Sequence, residues 1–136
     1  MQTVAIAQAS PEAVLAKAGS AQVTRTALNL FFGICERWEL TLPEQRRLLG
    51  EPPERTFYKW RTARAGTLSN DVLERISYLA GIHKALGILL PNDQDKGWVK
   101  RPNAAFGGRS ALQRMLGGRV VDLSDVRRYL DAVRGG

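Results

Sequence analysis

Apolar positions recur at helical spacing along most of this chain, and the strict alternation that marks a half-buried strand hardly occurs. Val23, Ala27, Leu30, Phe31, Ile34 and Trp38 form one apolar stripe of about four helical turns. Before it, Ser10-Pro11-Glu12 supplies a cap, a first-turn proline and an acid, and Gly19 closes a short helix. Thr41-Leu42-Pro43-Glu44 has the form of a capping box, opening a helix that stops at Gly50. Pro52-Pro53-Glu54 opens the next, with Phe57 and Trp60 three residues apart on one face. Ser69 then caps a long helix whose inner side carries Val72, Leu73, Ile76, Leu79, Ala80, His83, Leu86 and Leu90, and Pro91 ends it. Gly81 and Gly87 inside that helix each cost about 1 kcal/mol relative to alanine. A close helix crossing accounts for them, or an end or kink near Gly87.

From Asn92 to Gly108 the periodicity fails, and proline, glycine and asparagine predict a loop. Ser110 caps a short helix from Ala111 to Leu116, which Gly117-Gly118 closes. Asp122 or Ser124 caps a last helix with Val126, Tyr129, Leu130 and Val133 on one stripe. The predicted fold class is therefore all-α. An arm with a short helix spans residues 1–20, a helical domain 21–91, and a compact helical unit 92–136. A piece of roughly 45 residues buries too little apolar surface to be comfortable alone. It must lean on the first domain, on a second copy, or on another protein.

Composition narrows the chemistry. Hydrophobic residues make up 44% and charged residues 24% of the 136, a globular balance, and no apolar run approaches the length of a membrane span. No basic residue precedes an apolar run at the N-terminus, so a cytoplasmic protein without a membrane contact is expected. Cys35 alone cannot form an internal disulfide, and with His83 as the one histidine a structural zinc site lacks ligands. No cofactor is expected. The formal charge is +7, and fifteen of the twenty cations are arginine. Residues 96–136 hold nine cations against three acids, whereas residues 1–95 are nearly balanced. An anionic partner follows: nucleic acid, an acidic protein face, or an anionic ligand.

Residues 41–63 have the form of a helix-turn-helix whose second helix is basic on its outer face. With Phe57 and Trp60 turned inward, Arg55, Thr56, Tyr58, Lys59 and Arg61 face outward. Arg55 and Thr56 are the candidates for base edges; Lys59, Arg61 and Arg64 are the candidates for phosphates. An ordinary helical hairpin with a solvated basic face has the same pattern. Further on, Trp98 and Phe106 flank Pro102-Asn103 and can anchor an irregular loop, while Gly107-Gly108 turns the backbone into the helix capped by Ser110.

Trp98, Pro102-Asn103, Phe106-Gly107-Gly108, Leu112, Leu116, Gly118, Val126 and Tyr129-Leu130 together resemble the C-terminal toxin-binding domain of the MbcA/ParS/Xre antitoxins. Thr56-Phe57-Tyr58-Lys59-Trp60 resembles the Xre-like helix-turn-helix of the same proteins. The resemblance runs from about Leu40 to the end and is more specific in its second half. It implies a type II antitoxin, a RES-domain toxin that consumes NAD as partner, operator DNA as second partner, and a homodimer within a hetero-oligomer. The candidate toxin contacts are Trp98, Asn103 and Tyr129 within the resembling motif, and beside it Arg101, Arg128, Asp131, Arg134, Gly135 and Gly136. A dinucleotide pocket must hold anion-binding groups. Asp131 and the terminal carboxylate on a slim Gly135-Gly136 tail are then candidates to enter it, with Arg128 and Arg134 on acidic rim groups.

Two other readings stay open: a stand-alone transcription factor whose C-terminal unit only dimerises, and an adaptor that has kept the hairpin but lost DNA. Catalysis is not expected. His83 sits where a core histidine belongs, Cys35 beside Phe31 and Ile34 reads as a small buried hydrophobe, and no phosphate-binding glycine loop occurs.

Overall fold

The structure is a computed structural model and describes residues 21–135; the predicted arm (1–20) and Gly136 lie outside the described residues. Among the described residues seven α-helices follow one another: α1 Ala21–Arg37, α2 Leu42–Leu48, α3 Glu54–Ala63, α4 Asn70–Leu89, α5 Asp95–Lys100, α6 Ala111–Met115 and α7 Val120–Val133. A 3-10 turn, Ala104–Phe106, stands between α5 and α6. Among the described residues there is no strand, only an isolated antiparallel bridge between Pro102 and Ser110. The all-α expectation holds.

Several helix starts follow the local chemistry in the sequence. At α2 the Thr41 hydroxyl accepts from the Glu44 N–H at 3.3 Å while the Glu44 carboxylate accepts from the Thr41 N–H at 2.8 Å. Ser69 caps α4 through the Val72 N–H, and Ser110 forms a second capping box with Gln113. Three expectations are corrected. The predicted loop after Asn92 contains α5, because Asp95 is drawn inward by an ion pair that no local pattern announces. The last helix is capped by neither Asp122 nor Ser124. It starts at Val120 behind Arg119, and Asp122 reaches back to the Arg119 N–H at 3.0 Å. α6 stops at Met115, with Leu116 as its cap.

The predicted stripes are right in kind and shifted in detail. α1 buries Val23, Thr24, Ala27, Leu28, Phe31, Phe32, Ile34 and Cys35, a wider face than the predicted one, and Leu30 is turned to solvent. In α4 the fully buried residues include Ile82 and Ala85, whereas Ala80, His83 and Leu90 are only half-buried. The width follows from position: α4 is covered by α1 and by α7, so one narrow stripe cannot serve both neighbours.

One continuous apolar core runs from Val23 in α1 to Leu130 in α7. The C-terminal segment thus leans on the helical domain of its own chain, with α7 lying along α4. The two α4 glycines separate here. A Cβ on Gly81 would stand 1.4 Å from a guanidinium nitrogen of Arg127 on α7, so the glycine marks the crossing. Gly87 faces open space, and the helix continues past it to Leu89 without ending.

Candidate functional site

Two faces of the molecule carry the candidate residues. The first is built on α2, the following turn and α3. The turn is a Schellman motif: Gly50 sits at φ +87°, its N–H donates to the Arg47 carbonyl, and the Glu51 N–H donates to the Arg46 carbonyl. The Arg46 side chain donates to the Pro52 carbonyl at 2.6 Å and closes the turn from outside. Phe57 and Trp60 fix the roll of α3: both are buried, and the Phe57 ring lies 5.9 Å from that of Phe32. Arg55, Tyr58, Lys59 and Arg61 consequently point outward, and Thr56 is half-buried. None of Arg55, Lys59 and Arg61 has an ion pair in the described residues. Arg64 differs from the others. It caps α3 in a left-handed conformation, and its guanidinium lies over the Phe32 ring at 4.6 Å. Its guanidinium therefore packs on the core side of α3, as those of Arg55 and Arg61 do not.

The second face is built on the loop after α5 and on α7. Asn103 accepts the Ala105 N–H with its side chain, and its backbone exchanges bonds with Gly108 and Arg109, which closes residues 103–109 into a tight loop. Trp98 stacks nearly parallel on Tyr129, 6.4 Å between centroids, and Phe106 meets Tyr129 edge-on at 5.3 Å. Three aromatics therefore seat the loop on α7. Arg101 is exposed and has no ion pair among the described residues, where Arg128 reaches only the Ser124 hydroxyl. Asp131 is not a free anion: the Arg127 guanidinium donates to both its oxygens at 3.0 and 3.1 Å. This revises its expected part in an anionic tail. Arg134 follows the last turn of α7 with its side chain exposed, and Gly135 takes φ +88°.

The charged residues that join these two faces, Arg37 and Asp95 at one joint and Arg47 and Arg75 at the other, are marked out by no motif in the sequence. At one joint, Arg37 of α1 holds Asp95 of α5 by two bonds of 2.8 and 2.9 Å and adds Asp93 at 2.8 Å. The buried Trp38 indole N–H donates to Asp95 at 3.2 Å, and the His83 imidazole, half-buried rather than in the core, stands 4.0 Å away. The Arg37 guanidinium holds the Asp95 carboxyl below the usual range against the opposing effect of burial. Lys96 adds a bond to the Glu39 carboxylate and lowers its pKa as well. Cys35, close by in sequence, is buried, and burial pushes its thiol up and away from reactivity.

At the other joint, the carbonyls at the end of α6 accept from two arginines of the helical domain. Arg47 of α2 donates to Leu116 at 3.0 Å and Gly117 at 2.9 Å, and the buried Arg75 of α4 donates to Gly118 at 2.9 Å. Gly118 has φ +87°, and a Cβ there would lie 2.6 Å from the Arg47 guanidinium carbon. Gly118→Ala is expected to cost about 1–2 kcal/mol through backbone strain, a drop that urea denaturation would show. Arginine and double-glycine patterns are too common for either joint to be legible from spacing.

Among the described residues no helix is long and apolar enough to cross a membrane. The family model described as the antitoxin Xre-like helix-turn-helix domain matches residues 6–81. The model described as the antitoxin Xre/MbcA/ParS C-terminal toxin-binding domain matches residues 85–136. An uncharacterized protein of Sinorhizobium fredii (strain NBRC 101917 / NGR234), y4oB, is 50% identical over 110 residues, covering 80% of this chain and 84% of that protein. No solved structure matches the chain significantly.

Proposed function

Because the chain belongs to the antitoxins that join an Xre-like helix-turn-helix domain to an Xre/MbcA/ParS toxin-binding domain, we propose that it neutralises a RES-domain toxin and binds the operator of its own genes. The observation that carries this reading is the separation of two cationic faces on one continuous core, one on α3 and one around α7. On α3, Arg55 and Thr56 read bases, while Tyr58, Lys59 and Arg61 meet the backbone. Arg64 contributes by holding α3 against Phe32. A homodimer would set two copies of α3 on half-sites about 34 Å apart, one turn of DNA.

On the other face, Trp98, Arg101, Asn103, Arg128, Tyr129 and Arg134 form the toxin-binding surface, which covers the NAD pocket. Trp98 and Asn103 shape it, and the arginines meet acidic groups on the toxin rim. The slim segment that follows Arg134 reaches the pocket mouth, and Asp131, engaged by Arg127, stays on α7. The chain then acts by occlusion and needs no cofactor of its own.

Co-expression with a RES-type protein from a neighbouring gene tests the whole reading: a stable complex and restored growth are expected. No association would favour a plain regulator. That alternative assigns the C-terminal unit to dimerisation, but the α7 residues Leu123, Val126 and Leu130 are already buried within one chain. The tail has its own test. Deleting Arg134 to Gly136 is expected to weaken neutralisation in a growth-rescue assay, and unimpaired rescue would remove the tail from the mechanism.

A further inference from the structure

We propose that the groove lined by Phe106 and Tyr129 is the docking site for an acidic segment of the partner toxin that carries one apolar anchor side chain. The proposal rests on the antitoxin reading and assigns it a specific subsite, apart from the C-terminal tail. The groove has a volume of about 440 Å³. Phe106 and Tyr129 form its aromatic wall, and Ala105 and Ala132 leave it open. Its floor is the ion pair between Arg114 and Asp125, and Arg128 stands at its rim.

Two features select the occupant. The wall is preorganised: Trp98 stacks on Tyr129 and Phe106 braces its edge, so little side-chain freedom is left to lose on binding. The alanines add none. A short apolar side chain fits the space between rings and methyl groups, as anchors at interface centres do.

The second feature is charge. All three acids of residues 96–136 are engaged within the chain: Asp122 by Arg119, Asp125 by Arg114, and Asp131 by Arg127. Arg101 and Arg134 have no ion pair among the described residues, and Arg128 and Arg109 reach only neutral oxygens, of Ser124 and Gln113. An approaching partner therefore meets an aromatic-walled slot with the unneutralised Arg128 on its lining, on a unit whose remaining acids are already engaged. That combination suits an acidic peptide segment better than a nucleic acid, because Trp98 already covers one face of Tyr129 where a base would stack.

The experiment uses the full chain and a purified RES-type toxin from a neighbouring gene, with affinity read by calorimetry at two salt concentrations. Ala132→Trp fills the groove and Arg128→Glu reverses its rim; both positions are exposed, so thermal melting should stay at the parent value. Each substitution is expected to weaken toxin binding by about tenfold or more, and Arg128→Glu to flatten the salt dependence as well. Retardation of the promoter fragment should not change. Parental toxin affinity in both variants overturns the groove while leaving the antitoxin reading intact. Loss of promoter binding with toxin binding kept overturns it in favour of a nucleic-acid surface. Failure of the parent chain itself to bind the toxin ends both.

Discussion

Asp95→Ala is expected to unfasten the C-terminal third from α1 and to lower the melting temperature of the whole chain. The residue is only 4% exposed, and its carboxylate accepts two bonds from Arg37 and one from the Trp38 indole. Alanine strands that indole N–H inside the core, a loss of about 1–3 kcal/mol. Arg37 would keep only Asp93, whose side chain is 85% exposed and screened by water. Because one apolar core spans the helical domain and α7, calorimetry should show a single transition at lower temperature, not two.

The pH dependence of the same site has a fixed sign. Asp95 has a lower pKa folded than unfolded, so its stabilising contribution is fully present above the unfolded value of about 3.9 and is lost as pH falls through the folded one. Asp122 acts in the same direction: burial pushes its carboxyl up, but the Arg119 side chain and N–H together pull it further down. The parent chain should therefore lose stability as pH falls below about 4. Asp95→Asn keeps the shape without the charge, and its melting temperature should fall less steeply over that range. Equal slopes for parent and variant would show that Arg37 and Asp95 are not coupled.

Much of this fold is legible residue by residue, and the limits have a common cause. The caps at Thr41, Ser69 and Ser110 act within four residues, so their spacing in the sequence is already their geometry. Phe57 and Trp60 likewise announce which side of α3 is inside. α5 is different: Asp95 becomes helical and buried because Arg37, 58 residues earlier, lies opposite it. The start of α7 is hidden for a related reason, since an arginine at the cap position is not a usual cap and depends on Asp122 reaching back. Periodicity alone places Leu30 inward, yet Leu28 and Phe32 are the buried residues there and Leu30 faces solvent. At the candidate sites, sequence identifies which cations exist; only the fold shows that Arg64 is spent on Phe32 and Asp131 on Arg127.

That distinction leads to the second large effect, on DNA. The double variant Arg55→Ala, Lys59→Ala is expected to lower affinity for the chain's own promoter fragment by about a hundredfold near physiological salt. It should also reduce the slope of log affinity against log salt by about one, because one phosphate contact is lost with Lys59. Both side chains are exposed, so stability should stay within about 0.5 kcal/mol of the parent and toxin neutralisation should be untouched. Arg64→Ala is the informative contrast. Removing its guanidinium from Phe32 should loosen the seat of α3 and lower the melting temperature, while the salt slope per bound protein stays near the parental value. The two variants thus separate a cation that meets phosphate from one that holds the reading helix in place. If the double variant retains parental affinity at every salt concentration, α3 is a solvated basic face and the chain an adaptor that has kept the hairpin without its use.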